Sequence, residues 1–324
     1  FSWLGDRCCG ILLCARLPLL LFPAEGWTRG SAAYLLLCVS SGLFFGILCD
    51  LTGSAAGSIL AQGFGIPRVD LKELSKYEFL FTELVKRDFK KKYKRTILGV
   101  FWSVLYPIMM LLVMRLVFTQ FFGRNTSHYT TYLFCGNLIF SYFSEATTQG
   151  MTALMANAAI FTKTNVPKYM FVLSKNVQTL INFALTVCVF FLFCVFDKIT
   201  FTWKMLTLIY PIFCLLVFNV GVGLILSVFF VFFKDAQYLW SIFTRLLMYM
   251  SAIFYQIDSY PQNVQYLFLL NPIYLFIRYF RKVVIEATIP SVAFHLLMLA
   301  YSLAAFGCGM WLYKKKNQEF MYYV

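Results

Sequence analysis

The feature that most constrains this chain is its recurring apolar run. Stretches of about twenty or more mostly apolar residues occur at roughly 98–122, 130–155, 171–196, 205–232, 237–256 and 291–313. A helix rises about 1.5 Å per residue, so about 20 apolar residues cross the hydrocarbon of a bilayer. Backbone polar groups have no water to bond there, and a helix satisfies them within one segment. The runs therefore predict an all-α polytopic membrane protein with six transmembrane helices. The second run is the least oily, with "SEATTQG" in its middle. The composition agrees with a bilayer: 60% of residues are hydrophobic and 13% charged, where a soluble domain has about 25% charged.

Directly before the first run stands "KRDFKKKYKR" (86–95), seven basic side chains in ten positions. Wound as a helix, 77–94 puts Phe81, Leu84, Val85, Phe89 and Tyr93 on one face and Lys86, Arg87, Lys90, Lys91 and Lys94 on the other. That pattern predicts an amphipathic helix lying in the membrane interface, with its cations among anionic head groups. It also serves as a topology signal. With the N-terminal side of the first span in the cytosol, the inner segments carry 16 Lys and Arg and the outer ones six, which places both ends of the core in the cytosol. The net charge of +14 is assigned to the membrane surface, since no nucleic-acid-binding motif accompanies it.

Three parts follow from this reading: an atypical N-terminal extension at 1–68, an amphipathic interfacial helix at 69–97, and a transmembrane domain at 98–324. The extension contains no Lys, and the first Met of the chain is Met109. Its run at 32–48 is a signal-like segment, a seventh span, or sequence ahead of the working start, the last being preferred.

The residues exclude several chemistries. The ten cysteines form no C-x-x-C pair and show no metal spacing, and His128 and His295, far apart in sequence, give no support for a metal or triad site. No phosphate-cradling G-x-x-x-x-G-K-[ST] loop occurs either. Away from the ends of the runs (Lys175 lies near the start of the third), three charges fall inside them: Arg115, Glu145 and Arg245. Their cost in hydrocarbon points them toward protein or water. By depth, Glu145 and Arg245 are the better-matched pair. Two connections are long. The one at 156–170 is polar, with the helix-compatible "NAAIFTK" closed by Pro167. The one at 257–290 is apolar but broken at Asn271-Pro272, which predicts two short re-entrant or interfacial helices rather than a span.

Three motifs carry a family resemblance. "ELVKRDFKKKYKRTILGVFWSVLYP", with Leu84 to Asp88, Tyr93, Lys94, Thr96, Leu98, Gly99, Trp102 and Pro107, resembles the N-terminal signature of ABC-2 type permeases. The nearest branch exports polysaccharides, O-antigens and teichoic acids. "NAAIFTKTNVPK" matches at Asn157, Lys163 and Pro167, with Val166 and Lys168 as departures. "SAIFYQID" and "LLNPIYLFIRYFRKVV" match at Ser251, Phe254, Tyr255, Asn271, Pro272 and Arg281.

The resemblance implies a permease subunit of an ATP-driven exporter in the bacterial cytoplasmic membrane. It would pair with a second copy of itself and with a separate ATP-binding subunit that holds ATP and Mg, this chain carrying no cofactor. The cargo would be a glycan on an undecaprenyl diphosphate lipid. Arg87, Lys90, Lys91, Lys94 and Arg95 are then candidates for the diphosphate. Tyr106, Tyr132, Phe140, Tyr142 and Phe143 are candidates for an aromatic glycan path. Residues 157–168 become the ATPase-coupling helix, with Asn157 as its cap, Ile160 and Phe161 filling a cleft, and Lys163, Pro167 and Lys168 closing it. Asn271, Pro272, Arg278 and Arg281 become the outer gate, with Arg278, Arg281 and Lys282 near head groups. Two other readings are weaker: an ABC-2 exporter of a drug or small lipid, and a membrane-embedded glycan-modifying transferase, for which no acid, base or nucleophile cluster stands out.

Overall fold

The computed structural model describes residues 77–93, 99–122, 128–163, 166–257, 261, 265, 268–317 and 319–323. The N-terminal extension, the run at 32–48, Lys94 and Arg95 lie outside them. The chain divides into two compact units, 1–92 and 93–324. Among the described residues every regular element is helical.

In the first unit, α1 (Glu78–Tyr93) carries Lys90, Lys91 and Lys92 in its last turn, where cations complement the negative end of the helix dipole. Leu84 and Val85 are buried, while Arg87, Lys90, Lys91 and Lys92 are exposed. Lys86 and Phe89 are half-buried, Asp88 is buried, and Phe79 is exposed.

The second unit opens on a 3-10 turn (Gly99–Phe101) in which Gly99 takes a positive φ of 50°, a conformation glycine adopts without strain. Then follow α2 (Trp102–Phe122), α3 (Tyr129–Ala156), α4 (Ala158–Phe161) and α5 (Tyr169–Phe196). A 3-10 turn (Trp203–Leu208) leads into α6 (Ile209–Phe232), followed by α7 (Ala236–Met250), α8 (Pro272–Val284), α9 (Val292–Lys316) and α10 (Phe320–Tyr323). The central helix is α3. It packs on α5 and α6, and also touches α2, α7 and α8, while α6 packs in turn on α9. Two close approaches are glycine-mediated. A Cβ on Gly221 would lie 2.4 Å from the Ala305 and Phe306 backbone, and one on Gly150 would lie 3.0 Å from Gly223 Cα. Small residues at such crossings are how apolar helices gain packing where lipid offers no hydrophobic drive.

Three segments are long and apolar enough to cross a membrane: Tyr169–Phe196, Trp203–Phe232 and Val292–Lys316; α2 supplies a shorter apolar stretch, Trp102–Val117. The expected fifth span at 237–256 is not one continuous helix. It ends at Met250 after 15 residues, or about 22 Å of rise. Ser251 Oγ donates to Leu247 O at 2.7 Å, and Ala252 then takes a left-handed φ of 49°, which turns the chain out of the helix.

Candidate functional site

At one end of the second unit, α8 is fixed by the dipeptide that the sequence marked as a break. Asn271 Oδ1 accepts from Ile273 N at 3.0 Å, and Pro272 occupies the first helical turn, where its missing N–H costs nothing. The Asn271 amide also donates to Ser251 Oγ at 3.1 Å, tying the start of α8 to the end of α7. Within 257–290 the described residues hold one short helix, α8, and most of the segment before it lies outside the described residues.

Arg281 departs most from its expected setting. Arg278 and Lys282 lie half-exposed on one side of α8, but Arg281 turns inward and is buried. Its Nη1 donates to Tyr132 Oη at 2.8 Å and Ala252 O at 2.9 Å, and its Nη2 to Ile253 O at 2.9 Å. Its Nε donates to Tyr132 O at 3.3 Å, and the guanidinium stacks 3.4 Å from the Tyr132 ring centroid. One side chain thus joins α8, α3 and the turn after α7. The guanidinium has five donors in a fixed fork, and no carboxylate is among these partners. Nearby hydroxyls reinforce the knot: Tyr129 Oη donates to Phe254 O at 2.8 Å and Tyr132 Oη to Tyr255 O at 2.7 Å. Neither tyrosine's hydrogen bond was read from the sequence. The only signal was a pair of Tyr three residues apart at the start of a span.

The histidines hold the same end together. His128 Nδ1 lies 3.3 Å from Asp197 Oδ2, where Thr131 also donates, joining the start of α3 to the end of α5. Tyr279 Oη and His295 Nε2 lie 2.9 Å apart. No group of His, Cys, Asp and Glu suited to a metal occurs among the described residues.

The five aromatic candidates separate. Tyr132, Phe140, Tyr142 and Phe143 are buried within the unit, whereas Tyr106 is 65% exposed. Tyr142 stacks on Phe183 with centroids 4.4 Å apart, and Phe143 packs on Phe218 and Trp240. The charges separate as well. Glu145 Oε1 accepts from Gln149 Nε2 at 3.3 Å and Asn182 Nδ2 at 3.5 Å. Arg245 is exposed on α7 and Arg115 on α2. No Glu145–Arg245 ion pair is found among the described residues.

At the opposite end lies the connection 157–168. Its helix, α4, spans four residues. Asn157 does not cap it with its side chain. The amide turns back and donates to Ala153 O at 2.8 Å, finishing α3 instead, since at φ −120° and ψ 17° the residue serves the helix it leaves. Ile160 is half-exposed, Lys163 exposed, and Pro167 half-buried. Lys168 Nζ donates to Asn317 O and stands 5.3 Å from the Phe320 ring centroid. Burial pushes the Lys168 ammonium pKa below its ordinary value. Phe320 is buried against Phe232 and Tyr313, and Lys316 pairs with Glu319 at 2.7 Å. The segment after α9 is therefore clamped beside the connection, a contact the sequence reading did not anticipate. In α1, Lys86 pairs with Glu83 at 3.0 Å and Arg87 with Asp88 at 2.9 Å, while Lys90 and Lys91 are exposed.

Long apolar helices around a central, more polar one, with connections knotted at one end and clamped at the other, define a multi-pass integral membrane protein. The model of the ABC-2 type transporter family matches residues 80–285, more than half of the chain, and the chain belongs to that family. It is similar to the O-antigen export system permease protein RfbA of Klebsiella pneumoniae, 24% identical over 65% of this chain and 82% of that protein. The RfbA of Myxococcus xanthus is 24% identical over 77% and 97%. The polysialic acid transport protein KpsM of Escherichia coli is 21% identical over 80% and 98%. These relatives are proteins of O-antigen export and polysialic acid transport, at 21–24% identity.

Proposed function

We propose that this chain is the membrane subunit of an ATP-driven exporter that carries a lipid-linked polysaccharide or teichoic acid across the bacterial cytoplasmic membrane. Two copies form the pathway, six spans each, with both core termini in the cytosol. A separate subunit binds ATP and Mg and hydrolyses the nucleotide. The observation that carries this reading is the ordered set of three motifs in a chain alignable over most of its length with the O-antigen and polysialic acid permeases. The lysine-rich end of α1 supports capture of an anionic head group: Lys90 and Lys91 are exposed at the helix end, and Arg87, Lys94 and Arg95 extend the patch in sequence. The apolar Ile160 on the short α4, with Phe161 beside it in sequence and Lys163 exposed at its rim, supports a docking element for the ATPase. The undecaprenyl diphosphate carrier is the lipid that such a cationic patch would gather. Depletion of the chain tests the reading directly. Lipid-linked glycan should accumulate on the cytosolic side, and its unimpeded appearance at the cell surface would refute it.

A further inference from the structure

α3 is built the wrong way round for a helix in lipid. From Leu133 to Thr152, every residue of α3 that is not buried is polar. Ser141 and Thr148 are exposed; Asn137, Ser144, Glu145, Gln149 and Thr152 are half-buried. At 100° per residue these seven fall within a sector of about 140°, and they extend over about 22 Å of helix rise. Leu, Ile and Phe of the same stretch are turned into the unit: Leu133, Phe134, Leu138, Ile139, Phe140 and Phe143 are all buried. The other long helices show the opposite arrangement. Leu192, Val195 and Phe196 on α5, Phe229 on α6, and Leu296, Leu303 and Trp311 on α9 are exposed, as suits lipid. A carboxylate and a row of hydroxyls and amides do not belong facing hydrocarbon.

We propose that this face of α3, centred on Ser141, Glu145 and Thr148, lines a hydrated path and binds a hydroxyl-rich saccharide chain in transit. The inference rests on the polysaccharide-export reading and names the surface that meets the cargo. Uncharged hydroxyl and amide groups exchange hydrogen bonds with sugar hydroxyls as readily as with water, so they hold no single register and let a polymer slide. Glu145 adds a carboxylate able to accept from a vicinal diol, and Asn182 of α5 fixes one of its oxygens. A dry contact with a second copy through this face fits less well, because a two-fold axis presents each copy with the same patch and would bring two Glu145 carboxylates toward each other. The face also replaces the aromatic path expected from the sequence, four of whose five residues are buried in packing.

The test is thiol accessibility in native membranes. Single cysteines replace Ser141 or Thr148, and lipid-facing Leu192 or Leu296 as controls, in a Cys308→Ser chain whose background is subtracted. The probe is a charged methanethiosulfonate, which partitions poorly into hydrocarbon. Ser141→Cys and Thr148→Cys should react about tenfold or more faster than Leu192→Cys, and more slowly when the exporter is arrested with glycan engaged. Glu145→Gln should keep the fast labelling and lower export. Labelling no faster than the controls would overturn the proposal. The export reading is scored separately by depletion. Slow labelling with glycan retained inside removes the path and leaves the exporter. Fast labelling with glycan export unaffected by depletion removes the saccharide as occupant.

Discussion

Arg281 concentrates the energetics of one end of the molecule in a single side chain. A buried guanidinium that places four of its five donors on three carbonyls and a hydroxyl depends on those partners, since each further buried donor left unpaired costs about 1–3 kcal/mol. Arg281→Met should therefore lower the melting temperature of the purified chain sharply. Arg281→Lys should recover part of the loss, and Tyr132→Phe should cost only about 1 kcal/mol. Equal stability of all three variants in a thermal-shift series would remove Arg281 as the keystone. Gly136 belongs to the same knot, for a Cβ there would lie 2.9 Å from the Arg281 guanidinium. Gly136→Ala should show the Arg281→Met defect in milder form. The sequence showed Arg281 within a basic cluster and sent it with Arg278 and Lys282 to the head groups. Nothing local distinguished it, because its partners lie 28 and 29 residues away in the turn and 149 residues away on α3.

Helix boundaries were legible where a residue's own chemistry sets them. Asn271-Pro272 announced a start and caps one. The end of α7 was not legible, because "LLMYMSAIFYQ" stays apolar past Met250. What stops the helix there is the capture of the Ala252 and Ile253 carbonyls by a distant arginine. The polar face of α3 was half legible: "SEATTQG" stood out as unoily, but its significance lies in which of its neighbours are buried. Packing between elements gives a further expectation. Gly221 of α6 meets the α9 backbone so closely that a Cβ has no room, and overpacking of this kind costs about 1–3 kcal/mol or more. Gly221→Ala should destabilise the chain in detergent, whereas Gly307→Ala, with open space at its Cβ position, should not. Indistinguishable unfolding curves for the two would mean that this helix crossing is looser than the structure has it.

For the whole molecule, the proposed division of labour requires work done on a separate ATPase to enter through the 157–168 connection. That connection is well placed to transmit force. Asn157 closes the central helix α3, and Lys168 at the start of α5 bonds to the segment after α9, so a push on α4 reaches three long helices at once. The four-residue α4 itself makes a small contact, and its half-exposed Ile160 offers apolar surface for a partner's cleft. Ile160→Asp would place a charge in such a cleft, where desolvating it without a partner is costly. The variant should still insert and fold, because Ile160 is half-exposed on a four-residue helix rather than buried in the core. It should nevertheless recover less ATPase subunit on co-purification and leave lipid-linked glycan in the cytosolic leaflet. Lys163→Glu should act in the same direction but weakly, and more so at low ionic strength, as a rim charge does. Full export and full co-purification by Ile160→Asp would show that the drive enters elsewhere. The clamped segment around Phe320 would then be the next contact to break.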